Sequence, residues 1–137
     1  MSHIPPRLRR LVIERAASRC EYCGLSQEGQ EATFHIDHII PISLGGETVA
    51  ENLALACVSC SLRKAARQTS IDPQTGQEVP LYITREKTIG MIISSGMVNM
   101  NGITPTGRAT VAALNMNRLL ALAIRREEIT LGRHPSF

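Results

Sequence analysis

A chain of 137 residues has room for one ordinary domain, or for a small metal-stapled domain with an extension. Aromatic residues make up only 3% and Trp is absent, so any core is built from Leu, Ile, Val, Ala and Met. The net charge of +3 permits a nucleic-acid partner without demanding one, and no run of 18 apolar residues exists to span a membrane.

Residues 6–18 read as a helix. Pro5 and Pro6 suit its entry, and Leu8, Leu11, Val12 and Ala16 recur on one face. Arg7, Arg10, Glu14 and Arg15 lie off that stripe, either as a solvated face or, for the arginines, as phosphate contacts. Together with Arg9 and Arg19 they interrupt any signal-peptide core, so a cytoplasmic protein is expected. Cys20 to Gly24 reads as a tight knuckle, with Gly24 free to take positive φ after the second thiol. Residues 25–32 are polar and read as a loop. Residues 33–40 carry Thr, Phe and Ile and read as a strand. A loop with Pro41 and Gly45-Gly46 follows over residues 41–51, then a short strand over 53–56 and a helix over 58–67.

Residues 68–80 read as a linker with a turn at Asp72 to Gly76. They divide the chain into a module at 1–68 and an extension at 69–137. Short strands are expected at 81–84 and 88–93. Residues 105–128 form the longest helix candidate, capped by Thr104 and opened by Pro105. Val111, Leu114, Leu119, Leu122 and Ala123 give it an apolar stripe, for core packing or for pairing two chains.

All four Cys lie in two Cys-x-x-Cys pairs, Cys20/Cys23 and Cys57/Cys60. Four thiolates suit tetrahedral Zn²⁺ and leave it no open position, so the expected site is structural. Two redox dithiols are the alternative. The zinc would contribute much of the stability of so small a module.

Between the pairs lies Phe34-His35-Ile36-Asp37-His38-Ile39-Ile40-Pro41. A neutral imidazole near pH 7 can take a proton from water, and a carboxylate is a hard ligand for Mg²⁺ or Mn²⁺. Neighbours on a straight strand point to opposite faces, so Asp37 and His38 serve one site only if the strand bends or ends there. His35 shares a face with Asp37. It is either a metal or phosphate contact or a structural histidine. Arg63, Lys64 and Arg67 lie on the second helix, as phosphate contacts or as a solvated basic face.

With Gly45-Gly46, Asn52-Leu53 and the flanking cysteines, residues 20–64 resemble the HNH endonuclease family. The resemblance implies a ββα-metal finger, which with the N-terminal helix and the mainly helical extension read above makes an α+β chain. It implies His38 as general base, Asp37 as ligand of a catalytic Mg²⁺ or Mn²⁺, and Asn52 as the brace that holds the histidine's loop. Its substrate would be DNA, cut with weak sequence specificity. The residue after the fourth Cys, usually His or Asn in zinc-bearing members, is Ser61 here. A hydroxyl is a weaker ligand, so the alternative is a zinc-stapled binding module that does not cut. Asp72 to Gly76 and Ile103 to Val111 also resemble an extension seen beside some bacterial HNH domains, expected to pack on the finger or to pair two chains.

Overall fold

The computed structural model describes residues 3–81, 91–93 and 98–134, with main chain alone for 91–93. It is a mixed α+β chain of four α-helices and three two-stranded antiparallel sheets among the described residues. None of the described helices is long and apolar enough to cross a membrane.

Helix α1 (Pro6–Arg15) buries Val12. It stops short of the expected residue 18 because Ala17 and Ser18 turn to positive φ (53° and 57°), which no helix continues. The first knuckle closes through Cys20 N–H to the Leu25 carbonyl (2.8 Å) and Gly24 N–H to the Cys20 carbonyl (2.8 Å), with Gly24 at φ 79°. Gln27 ties the polar loop to the sheet, its side-chain oxygen accepting from Phe34 N–H at 2.7 Å.

Strands β1 (His35–His38) and β2 (Leu53–Ala56) pair antiparallel, with Asp37 opposite Ala54 and His38 opposite Leu53. Every β2 residue is buried. Helix α2 (Val58–Lys64) then opens at the second knuckle, the Cys57 sulfur accepting from Cys60 N–H. β1 is shorter than the expected 33–40 because the ladder is replaced after His38. Ile39 N–H bonds the Asn52 carbonyl (2.8 Å), and Ile40 is held by the Asn52 side chain. The helix expected to residue 67 ends at Lys64, where Ala65 takes φ 46°.

Residues 68–80, expected as a linker, instead form a hairpin of β3 (Thr69–Ile71) and β4 (Glu78–Pro80) around the expected turn. In that turn Gly76 N–H bonds the Asp72 carbonyl at 2.8 Å. Of the strands expected at 81–84 and 88–93, residues 82–90 lie outside the described residues. Met91–Ile93 is strand β5, paired with β6 (Met100–Gly102).

The long helix expected over 105–128 is two helices, α3 (Pro105–Ala113) and α4 (Leu119–Thr130). Asn115 breaks it at φ 47°. Asn117 bonds both backbone groups of Met100 (2.7 and 2.8 Å), which a helical residue at that point could not reach so simply. Thr104 caps α3 through Gly107 N–H (3.0 Å). β6 lies so close to α3 that a Cβ on Gly102 would sit 2.2 Å from the Arg108 nitrogen. Only glycine fits there.

One apolar cluster runs through the molecule. It joins Val12, Tyr22, Phe34, Ile36, Ile39, Leu53 and Leu55 to Met100, Leu114 and Met116. Residues of the extension therefore share one core with the finger. Beside this cluster Arg108 grips the fully buried Asp72 with two hydrogen bonds, Nε to Oδ1 at 2.9 Å and Nη2 to Oδ2 at 2.8 Å.

Candidate active site and metal centre

The two knuckles bring the four sulfurs together. Cys20, Cys23, Cys57 and Cys60 offer sulfur atoms that all lie within 4.8 Å of one another. Cys23 Sγ and Cys57 Sγ are 3.8 Å apart. A tetrahedron with zinc–sulfur bonds near 2.3 Å has edges of about 3.8 Å. The set therefore fits zinc, and the donors are of the type zinc takes. Hydrogen bonding from Cys20 holds the Cys57 thiol far below its ordinary pKa, while burial pushes Cys20 up. A cation at the centre would stabilise all four sulfurs as thiolates.

The second centre lies where β1 ends. Asp37, His38 and Ser61 line one cleft of about 580 Å³ together with Pro41, Ile42, Ala65 and Ala66. The strand bends after His38, which lets two successive residues reach one space. His38 Nε2 lies 2.9 Å from Thr48 Oγ1. If Nε2 carries the proton and donates it to that hydroxyl, Nδ1 is left as the acceptor.

Asn52 holds the intervening loop closed. Its Oδ1 accepts from Ile40 N–H (2.9 Å), and its Nδ2 donates to the carbonyls of Ile40 (3.0 Å) and Glu47 (2.9 Å). Gly46 passes so near that a Cβ there would sit 1.8 Å from the Ile40 oxygen. The Asn and the second glycine thus form one device that fixes the path from His38 to Thr48.

Ser61 stands on the first turns of α2, with its hydroxyl 3.1 Å from His35 Nδ1. His35, Asp37 and Ser61 therefore place an imidazole, a carboxylate and a hydroxyl side by side. Arg63 is exposed, with Nε donating to Ser59 at 3.2 Å, and Arg67 is exposed, donating to the Ala113 carbonyl at 3.1 Å. Lys64 departs from the expected exposed face. It is only 2% exposed, and its ammonium donates to the Ile39 carbonyl at 3.1 Å. Burial lowers its pKa, with Asp37 acting the other way.

Residues 20–67 match the family model of the HNH endonuclease. No curated protein matches the chain. The matched residues take in both knuckles, the cleft and α2.

Two supports of the finger were not read from the sequence. Thr48, the partner of His38, has no signature there. Arg15, expected on a solvated face or at a phosphate, points inward instead. It donates to the carbonyls of Ala50 (2.8 Å) and Leu53 (2.7 Å) and pairs with Glu21 at 2.6 Å. Glu21 in turn accepts from Leu55 N–H at 3.0 Å. These bonds tie α1 and the first knuckle to the residues on both sides of Asn52. An Arg five residues before the first Cys and an acid just after it were the only hint.

Proposed function

We propose that the chain is a metal-dependent endonuclease that hydrolyses DNA phosphodiesters, with His38 as general base. The observation that carries this reading is the shared cleft, in which Asp37, His38 and Ser61 meet while Thr48 and Asn52 fix the histidine's loop. Asp37 and Ser61 would hold a Mg²⁺ or Mn²⁺ ion, with His35 beside them as a further donor. Such an ion, when bound, stabilises charge on the phosphate and on its leaving oxygen. His38, in the tautomer that donates Nε2–H to Thr48, takes the proton of the attacking water at Nδ1. In this reading the exposed Arg63 would meet the phosphate backbone, a contact that positions DNA without reading its sequence. Zinc in the four-cysteine site has a structural role in this reading.

A second reading has one observation in its favour. The Ser61 hydroxyl is already engaged by His35, and a hydroxyl is a poor substitute for an imidazole or amide ligand. In that reading the finger binds DNA without cutting it. Pairing of two chains through α4 is a further proposal, supported by the exposed Leu119 and Leu120 at its start.

A supercoiled-plasmid nicking assay with Mg²⁺, Mn²⁺ or chelator separates the two readings. Nicking that requires the ion and disappears in His38→Ala, with one zinc per chain retained, supports the nuclease. Absence of nicking with either ion, by protein that holds its zinc and binds DNA, favours the binding module. Ser61→Asn raises nicking in the first case and leaves it absent in the second.

A further inference from the structure

Resting on the nuclease reading, we infer that Ile42 and Leu44 form an apolar wedge that opens a base step of the DNA beside the scissile phosphate. The two side chains are 49% and 58% exposed. They sit on a single turn, Ile42–Leu44, that is not free to fold them away. Leu44 N–H bonds the Pro41 carbonyl (2.9 Å), Gly45 N–H the Ile42 carbonyl (3.0 Å) and Gly46 N–H the Pro41 carbonyl (3.0 Å). Gly45 takes φ 93°, and Asn52 locks the loop from beneath. A rigid loop that holds two large aliphatic side chains in water calls for an explanation, because such surfaces gain free energy only when covered.

The location narrows the partner. Pro41 and Ile42 wall the cleft that contains Asp37 and His38, and Thr48 of the same loop bonds His38. Ile42 therefore borders the space that a phosphate at His38 would enter. Charge then decides the kind of contact. Residues 39–52 contain no Lys or Arg and two acids, Glu47 and Glu51. The loop has no cation with which to grip phosphates, and its acids repel them. The surfaces of a duplex that an Ile and a Leu can cover are base faces and sugar edges. Apolar side chains reach base faces by entering a step and unstacking it. Unstacking would also loosen the backbone at the phosphate to be cut, so the loop that sets the base would also present the substrate.

The test uses full-length, zinc-loaded His38→Ala protein, which binds without cutting, and duplexes carrying 2-aminopurine at successive positions. Binding should raise the fluorescence of one or two adjacent positions several-fold, as unstacking does. Adding Ile42→Ser and Leu44→Ser should abolish that rise and weaken binding roughly tenfold, the size expected for losing two partly covered aliphatic contacts. Both changes are at exposed positions, and zinc content and Tm check that the fold persists. A rise that survives the double change, or no rise at any position on duplex that is demonstrably bound, overturns the wedge. Metal-dependent nicking in the wild type alongside that result leaves the nuclease standing and the wedge alone refuted. If the apolar pair instead docks a protein, the double change alters neither DNA affinity nor fluorescence, which also overturns the proposal. Failure of both the His38→Ala protein and the wild type to bind duplex, with no nicking by the wild type, removes the nuclease reading and the wedge together.

Discussion

The finger and the residues beyond it are both short of large apolar side chains, and each is fastened by a different polar device. In the finger, four thiols from two knuckles converge on one point within 4.8 Å. Beyond it, Asp72 at the β3–β4 turn is gripped by Arg108 of α3 and also accepts from Gln74 N–H (3.0 Å) and the Thr75 hydroxyl (2.8 Å). The first device needs an ion supplied from outside. The second is complete in itself but depends on one carboxylate remaining charged. The two halves should therefore fail under different stresses, chelation for one and acid for the other, and the shared cluster from Val12 to Met116 should spread either failure.

Metal removal is the largest expected effect. Structural zinc contributes about 10–16 kcal/mol of apparent binding free energy in zinc-finger peptides near neutral pH, more than a whole domain's usual stability. Cys57→Ser, or a strong chelator, should leave the finger unfolded by circular dichroism at room temperature. Zinc stoichiometry should fall from one per chain in parallel. A chain that keeps a cooperative melt without zinc would show that the extension holds the finger unaided.

Asp72→Asn comes next, and it breaks the other device. The Arg108 guanidinium holds the Asp72 carboxyl far below its ordinary pKa. A lowered folded pKa means that the unfolded chain binds the proton first on acidification. The contribution is complete above the unfolded value of about 4 and is lost as pH falls below it. The Tm gap between wild type and Asp72→Asn should therefore be wide at pH 7 and close progressively below about pH 4. Zinc content at pH 7 should be unchanged, which separates this lesion from the first.

His134 tests a point where the halves touch. It is buried, and neither ring nitrogen has a hydrogen-bond partner among the described residues. Its Cε1 lies 3.4 Å from where a Cβ on Gly24 would stand. Burial, with Arg125 and Arg19 adding to it, pushes its pKa down to about 4. Here too the unfolded chain takes the proton first, now between about pH 6.5 and 4. Stability should fall as pH drops through that window, by at most about 3 kcal/mol, and level off below it. His134→Leu should flatten that part of the pH–stability curve relative to wild type. Zinc loss in acid affects both proteins and cancels in the comparison.

The parts of this molecule that were legible in the sequence are those where chemistry restricts residue type. Thiols at a fixed spacing have few uses, and the Asn52 amide can bond a carbonyl and an N–H of one residue at once, which few side chains can. Gly24 and the Asp72 turn were legible for the same reason, since positive φ and tight turns select their residues. What was not legible depends on partners distant in sequence. Thr48 looks like any loop threonine until the loop closes on His38. Arg15 reads as surface charge until Ala50 and Leu53 present their carbonyls to it. The break at Asn115 hides inside a helical apolar pattern, because the stripe continues on both sides while Asn117 is claimed by Met100. Lys64 has the same character, a basic residue beside two exposed arginines that turns inward to Ile39.

That difference between neighbours gives the smallest and most selective prediction. Arg63 and Lys64 adjoin in sequence and carry the same charge, but Arg63 is exposed while the Lys64 ammonium is buried against the Ile39 carbonyl. Arg63→Ala should weaken binding to duplex DNA a few-fold, and it should reduce the slope of log affinity against log salt by roughly one. Lys64→Met should leave that slope unchanged. Its effect on stability combines two opposed contributions, since removing a buried ammonium relieves desolvation while the Ile39 carbonyl loses its donor at about 1–3 kcal/mol. The net change is therefore small, and the thermal melt should move little. Equal salt slopes for the two variants would mean that the ammonium leaves the Ile39 carbonyl when DNA binds. The surroundings of Lys64, within reach of the Asp37 charge, would then be adjustable rather than fixed.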